Sequence, residues 1–268
     1  MTEQRRLFLG FSFVIVISLL LGGCFSKFDN ISPPENFLEN KDVSVGLIWI
    51  CQNNLHYPEG PEYTAKHYML GQQGLLDIAV ARAFSDDIED TLNKVKLEEL
   101  MQERFFPVFQ AAFEDHNFTV KIKAEPYCWK KFRLGSNKYC ENSLDVKDME
   151  IKKVGGMPLS VFTFDYKPVM EELGVDYLLA IHLLQHGTGR SYFAMVPTSP
   201  PKGITSLTSH LIEAKAQVVV SQHHCSIVEP VQGEWDEPPE YANLLKAARA
   251  SFEIAADEVF IDIFKQAP

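Results

Sequence analysis

The first 23 residues have the character of a leader rather than of a folded domain. Arg5 and Arg6 precede a run of 17 uncharged residues, 7–23, that ends in two glycines. A membrane-spanning helix needs about 20 apolar residues, whereas the apolar core of a secretory signal is shorter and ends in small residues. The length of the run lies between these two classes, so the residues at its end must distinguish a secretory signal from a membrane-spanning helix. This distinction also determines which part of the chain folds into a domain.

The apolar run ends in the letters LGGC, with a cysteine at position 24. This order resembles the lipobox of bacterial lipoprotein signal peptides, in which the cysteine thiol is acylated and then becomes the new amino terminus. The resemblance implies that residues 1–23 are a signal peptide and that Cys24 carries fatty acids such as palmitate. Several acyl chains anchor a protein stably because each buried methylene contributes about 0.8 kcal/mol. The alternative is an uncleaved membrane anchor that ends in GGC by chance.

The residue after the cysteine indicates the destination. Phe25 stands there instead of an aspartate, which resembles lipoproteins of enteric-type bacteria that are sent to the outer membrane. We therefore expect a lipid-anchored protein of the bacterial outer membrane that faces the periplasm.

Composition bounds the rest of the chain. Hydrophobic residues make up 46% of the 268 residues, enough for a sizeable core. Residues 24–41 are polar, contain two prolines and are predicted to be a tether, followed by a single domain over 42–268. The net charge of −11 argues against nucleic-acid binding, which neutralises phosphates. The expected partners are the membrane, through the lipid, and an envelope protein, and a homo-oligomer is left open.

Cysteine usage suggests two disulfides. Besides Cys24 the chain has Cys51, Cys128, Cys140 and Cys225, in a compartment that permits disulfides. Four cysteines allow three pairings. We favour Cys128 with Cys140, which flank the turn-like KKFRLGSNKY, and therefore Cys51 with Cys225. The alternative is that some or all of them are ordinary buried thiols.

Apolar periodicity predicts an α/β (α+β) fold in which helices pack on a mixed sheet. The predicted order is a strand, helices, a strand, a short helix, a group of strands and a long helix. Pro107 should kink or restart the second helix. A hairpin around the letters AKA precedes the C-terminal helix. The predicted strands span 43–51, 118–125, 175–184, 190–199, 204–213 and 217–228, and the predicted short and C-terminal helices span 167–173 and 241–264.

Two phrases carry a resemblance to known proteins. They are ELGVDYLLAIHL, at 172–183, and LIEAKAQVVVS, at 211–221. Both resemble the strand and hairpin of a group of periplasmic lipoproteins that includes the curli-secretion lipoprotein, the TolB amino-terminal domain and the outer-membrane activator of peptidoglycan synthase. The resemblance implies that a C-terminal helix closes the fold and that the role is binding or assembly rather than catalysis. Fold alone does not assign function.

Histidines and cysteines near strand ends are the candidates for chemistry. His182 and His186 are four apart and would face one side if their strand continues. In the letters QHHCS, His223 and Cys225 can share a site, since neighbouring residues of a strand point to opposite faces, while His224 cannot easily join them. We interpret these as chance histidines on a sheet and predict no catalytic residue, no cofactor and no metal site.

One local patch is basic and aromatic on an otherwise acidic chain. Trp129, Lys130, Lys131 and Arg133 lie between or beside the paired cysteines. Aromatic and arginine side chains carry much of the energy of protein interfaces, so we predict partner binding here. The alternative is a hairpin whose aromatic side chains pack back on the domain.

These observations together predict a lipid-anchored accessory or assembly protein that binds another envelope protein and is not an enzyme. The alternative is an envelope hydrolase that uses zinc, with His223, or a cysteine nucleophile, Cys51.

Overall fold

The computed structural model describes residues 28–40, 42–51, 97–129, 142–154, 157–189, 192–193, 196–197, 202–233 and 242–264. The strands are β1 (Ser44–Cys51), β2 (Thr119–Ile122), β3 (Tyr127–Trp129), β4 (Asn142–Leu144), β5 (Val146–Val154), β6 (Met157–Phe164), β7 (Tyr177–Gly189), β8 (Tyr192–Phe193), β9 (Val196–Pro197), β10 (Lys202–Glu213) and β11 (Val218–Pro230). The helices are α1 (Leu97–Leu100), α2 (Phe106–Asp115), α3 (Lys167–Leu173) and α4 (Ala242–Phe264).

The predicted fold class is confirmed. A mixed seven-stranded sheet has the order β11-β10-β7-β1-β3-β4, and β2 also pairs with β1. The strand β1 is parallel to β2, β3 and β7, whereas β7, β10 and β11 are antiparallel neighbours. The hairpin β10–β11 is followed by the long helix α4, as the periodicity predicts.

One face of the sheet packs on the helices α1, α2 and α4. Val45, Leu47 and Trp49 point to this face from β1, because alternate residues of a strand share a face. The indole Nε1 of Trp49 donates to the carbonyl oxygen of Ala124 at 2.8 Å. On the same face, the long helix α4 covers the part of the sheet that contains the hairpin β10–β11.

The other face packs on α3 and on the hairpin β5–β6. Ile48 and Ile50 of β1 contact a cluster that includes Phe164, Tyr166 and Met170. The sequence prediction missed β5, since its side chains are mostly exposed and charged, with Met149 and other residues about half exposed. A strand that buries neither face has no apolar alternation to detect.

Two smaller predictions have different outcomes. A π-helical turn, Met101–Phe105, lies just before Pro107, which confirms the expected interruption of the helix, because proline has no N–H to donate to the preceding turn. The strand predicted at 190–199 is instead two short strands, β8 and β9, which pair with each other outside the main sheet.

The segment before β1 packs on the domain. Phe37 is 2% exposed, and its ring lies 5.3 Å from that of Phe118 and 5.2 Å from that of Tyr177. In its described part, the predicted tether of residues 24–41 thus contributes to the core. No helix within the described ranges has the length and apolar character needed to cross a bilayer.

Candidate functional site

A β-bulge in β7 separates the two histidines of that strand. Leu183 and Gln185 pair with consecutive residues of β10, so Leu184 is an extra residue in the ladder. The alternation of faces changes there, which places His182 toward α3 and β6 and His186 toward α4. The prediction that both histidines face one side is therefore wrong, although the strand does continue.

His182 belongs to a sealed polar cluster with Tyr166 and His210. The Tyr166 hydroxyl lies 2.5 Å from Nε2 of His182 and 3.3 Å from Nδ1 of His210. The three residues are 6%, 0% and 5% exposed. Tyr166 has one hydroxyl proton, so it donates to one imidazole and accepts from the other.

Burial keeps this cluster uncharged at neutral pH. Desolvation, reinforced by His210, lowers the pKa of His182 well below its usual range. Desolvation and the nearby Lys152 ammonium lower the pKa of His210 to about 4. Desolvation also raises the pKa of Tyr166 well above 10. Neutral, hydrogen-bonded side chains of this kind fix the position of α3 and β6 on the sheet.

His186 belongs to a second buried network, which ties the sheet to α4. Its Nδ1 lies 2.9 Å from the Thr205 hydroxyl, and that hydroxyl lies 2.8 Å from the hydroxyl of Ser251 on α4. Ser251 donates in turn to the carbonyl oxygen of Ala248 at 2.8 Å. Burial lowers the pKa of His186 to about 4.

The QHHCS segment lies on β11, and the predicted alternation of its side chains is confirmed. His223 and Cys225 face α4, where His223 Nδ1 lies 3.4 Å from Oδ1 of Asp262. His224 faces the opposite side, where its Nδ1 lies 3.2 Å from the Thr208 hydroxyl. One donor atom each of His223, Cys225 and the exposed Glu258 lie within 4.8 Å of one another.

The structure corrects the prediction of a bridge between Cys51 and Cys225. Cys225 is a free, buried thiol. Leu207 and Leu183 stand between the two cysteines in the ladder, which places them three strand spacings apart, or about 14 Å. A disulfide needs Cα atoms within about 7 Å. Burial, with a contribution from Glu258, raises the pKa of the Cys225 thiol to about 12.

Residues 28–31, the N-terminal segment, run along the outer edge of β11. The Phe28 ring stacks on His224 at 4.0 Å, and the Lys152 ammonium lies 4.8 Å from the centre of the Phe28 ring. Asn30 Oδ1 accepts from the His224 N–H at 2.9 Å. Ile31 exchanges two backbone hydrogen bonds with Gln222 of β11. The outer side of this edge strand is therefore paired at that position.

Several predicted site residues lie outside the described residues. These are Cys24, Lys130, Lys131, Arg133 and Cys140. For Cys51, Cys128 and Trp129 the structure gives the backbone position alone, at the ends of β1 and β3. The lipidation site, the Cys128–Cys140 pair and the binding patch therefore stay predictions.

Sequence reasoning missed Tyr166, His210, Glu258 and Asp262. The two acids had a usable signal, because they are four apart and so share a face of the C-terminal helix. Tyr166 and His210 had no such signal in the sequence, since their contact with His182 depends on how α3 and β10 pack against β7.

Comparisons with known proteins give weak similarities. No family model matches the chain, and neither does any curated protein. Among solved structures, a Xanthomonas campestris protein of the family DUF330 is 20% identical, with a TM-score of 0.26, over 35% of this chain and 53% of its own. The PelC dodecamer of Paraburkholderia phytofirmans is 9% identical, with a TM-score of 0.32, over 85% of this chain and 96% of its own. A lipoprotein from Neisseria meningitidis is 17% identical, with a TM-score of 0.20, over 32% of this chain and 54% of its own.

This chain therefore spans about half the length of the first and third of these proteins. All three TM-scores lie below 0.5, so these likenesses carry no argument about function.

Proposed function

We propose that this chain is a lipid-anchored accessory or assembly lipoprotein of the bacterial envelope, which acts by binding another envelope protein and not by catalysis. The observation that carries the proposal is the leader, in which two arginines and a 17-residue uncharged run end in LGGC. Acylation of Cys24 supplies the anchor. We further propose that the anchor lies in the outer membrane and that the domain faces the periplasm.

The position of the N-terminal segment supports a role close to the membrane. Phe28 is already fixed on the domain by His224, and it is four residues away from Cys24. Four residues of extended chain span at most about 14 Å. An acylated Cys24 would therefore hold the β11 edge of the domain near the bilayer surface.

One hydroxyl–imidazole pair among the described residues is buried too deeply to act on a substrate. The hydroxyl–imidazole pair of Thr205 and His186 resembles a nucleophile with its base, but the two residues are 0% and 5% exposed. A substrate could not reach them without separating α4 from the sheet. The alternative of an envelope hydrolase gains no support from this pair.

The partner surface that we propose is the basic and aromatic patch of Trp129, Lys130, Lys131 and Arg133. Its first residue, Trp129, is the last residue of β3, a strand of the main sheet. The resemblance of the 172–183 and 211–221 phrases to periplasmic assembly lipoproteins is the second support for a binding role.

Substitution of Cys24 tests the anchor. We expect Cys24→Ser to lose acylation and signal cleavage, so that the protein carries no palmitate label and retains its leader. Ser26→Ala, two residues further on, should be labelled and cleaved like the wild type. Equal palmitate incorporation in wild type and Cys24→Ser would contradict the proposal.

Charge reversal tests the binding patch. The variant Lys130→Glu, Lys131→Glu, Arg133→Glu should capture less of its envelope partner after crosslinking in intact cells, with an unchanged unfolding temperature. The control is Lys147→Glu, Lys167→Glu, Lys215→Glu, which changes the net charge equally at exposed lysines elsewhere. Equal capture by both variants would remove the patch from the proposal.

A further inference from the structure

Three side chains that commonly bind metals meet between the outermost strand and the C-terminal helix. His223 and Cys225 are two apart on β11 and so point to the same face of the sheet. Glu258 reaches them from α4, and one donor atom of each lies within 4.8 Å of the other two. We name these three residues the edge cluster.

A neighbouring carboxylate and the state of the imidazole add a second observation. Within the described residues, both ring nitrogens of His223 are shielded from solvent and have no hydrogen-bond partner, and Oδ2 of Asp262 is in the same condition. Oδ1 of Asp262 lies 3.4 Å from His223 Nδ1. Buried polar atoms are normally satisfied, so an imidazole with two unused nitrogens beside a carboxylate is arranged to bind something.

We infer that the edge cluster is a zinc site, with His223, Cys225 and Glu258 as ligands and Asp262 as the carboxylate that orients the imidazole. Nitrogen, sulfur and carboxylate oxygen are the donors that zinc takes in proteins. A carboxylate beside the ligating histidine is the usual arrangement around such ions. This site goes beyond the proposed binding role and does not depend on it.

The spacing of the donors suits zinc after a small closure. Zinc–ligand bonds of about 2.1 Å in a tetrahedron place the ligand atoms about 3.4 Å apart. The present separations of up to 4.8 Å therefore have to shrink by at most about 1.4 Å. Glu258 is exposed, so its side chain can make this movement and also provides the entry path for the ion.

The bound ion would tie α4 to β11. Without it, the Cys225 thiol donates to the carbonyl oxygen of Ala255 at 3.6 Å. With it, the thiol proton is released and the thiolate becomes a ligand, since metals bind the deprotonated form. Two ligands from the strand and one from the helix would then join β11 to α4 through the ion, in addition to the apolar contacts between them.

Cobalt binding tests the site in the full-length chain purified in detergent. After chelation and removal of metal, we expect one equivalent of Co²⁺ to bind with the near-ultraviolet band of a cobalt–thiolate bond. An equivalent of Zn²⁺ should abolish that band and raise the unfolding temperature. Absence of Co²⁺ binding, or binding without the thiolate band, would overturn the inference.

Two matched pairs of variants assign the ligands. Glu258→Gln should weaken Zn²⁺ binding at least tenfold, whereas Asp257→Asn, the adjacent exposed acid, should bind as the wild type does. Cys225→Ser should abolish the cobalt–thiolate band, whereas His224→Gln, on the opposite face, should retain it. Should Cys225→Ser fail to fold, the two variants of exposed acids still test the site. Equal Zn²⁺ affinities of Glu258→Gln and Asp257→Asn would contradict it.

Discussion

Three buried histidines lie in an environment that differs strongly from water. His182, His186 and His210 are each at most 5% exposed, and their neutral imidazoles hydrogen-bond to hydroxyl groups. Lys152 lies near His210 and further disfavours its protonation. The folded protein therefore accepts protons at these histidines only at a lower pH than the unfolded chain does.

Stability should decrease with acidification below about pH 6.5, where the histidines of the unfolded chain take up protons. The native pKa of His186 and of His210 is about 4. Each should therefore cost about 2 kcal/mol between pH 7 and pH 5, as measured by urea unfolding. His210→Gln should reduce this slope, because it removes one of these two buried imidazoles. Equal slopes for wild type and His210→Gln would contradict the role of burial.

Phe37 is the residue that fixes the segment before β1 to the core. Phe37→Ala should lower the free energy of unfolding by about 3–5 kcal/mol, because it leaves a cavity among aromatic rings. Val108→Ala, at a side chain that is 50% exposed, should change it by less than about 1 kcal/mol in the same denaturant titration. Equal losses in the two variants would show that the segment is not part of the folded core.

At the scale of elements, the strand β10 and the helix α4 meet with almost no space between their backbones. A Cβ added at Gly203 would stand 2.1 Å from the carbonyl oxygen of Ala247 and 2.6 Å from the backbone nitrogen of Ala248. Such a contact cannot be relieved by rotating a side chain. Glycine at this position is therefore what lets the C-terminal helix approach the sheet.

Gly203→Ala should thus displace α4 and lower the free energy of unfolding by more than about 3 kcal/mol. Gly46→Ala is the comparison, since its added Cβ would meet the ends of leucine side chains, the nearest at 2.9 Å, which can move. We expect a loss of about 1–2 kcal/mol there. A smaller loss for Gly203→Ala than for Gly46→Ala, in parallel thermal unfolding, would contradict the close packing of β10 and α4.

The elements that bury an apolar face could be predicted from the sequence. The strands β1 and β7 are apolar runs that are buried on both faces, the hairpin β10–β11 surrounds the turn around Lys215, and the helices α3 and α4 each bury the apolar residues of one side. The hairpin β5–β6 could not be anticipated, because β5 is exposed on both sides and has no apolar period. The bulge at Leu184 was equally hidden, since a single extra residue leaves no mark on an apolar strand.

The sequence predicted only those features of the candidate site that depend on neighbouring residues of a single strand. Alternation along β11 correctly separated His224 from His223 and Cys225. The partners from α4, Glu258 and Asp262, and the distance between Cys51 and Cys225, depend on how the chain returns to the sheet. Pairing over such sequence separations is a property of the tertiary fold and not of any short stretch.

At the scale of the whole molecule, the proposed function joins an acidic α/β domain to a lipid through a very short connection. The first described residue, Phe28, already packs on β11. The domain would therefore stand with one particular edge toward the bilayer, an orientation that a long free tether would not impose. The connection adds at most about 14 Å between the membrane surface and the domain. An envelope protein would then be bound no further from the membrane than this distance and the width of the domain together.

The mass of the intact protein, purified from bacterial envelopes, tests this account most directly. We predict a chain that begins at Cys24 and carries the added mass of a diacylglycerol group on its thiol. A chain that begins at Met1 and carries no fatty acid would contradict the account, because the domain would then have no lipid to hold its edge at the membrane.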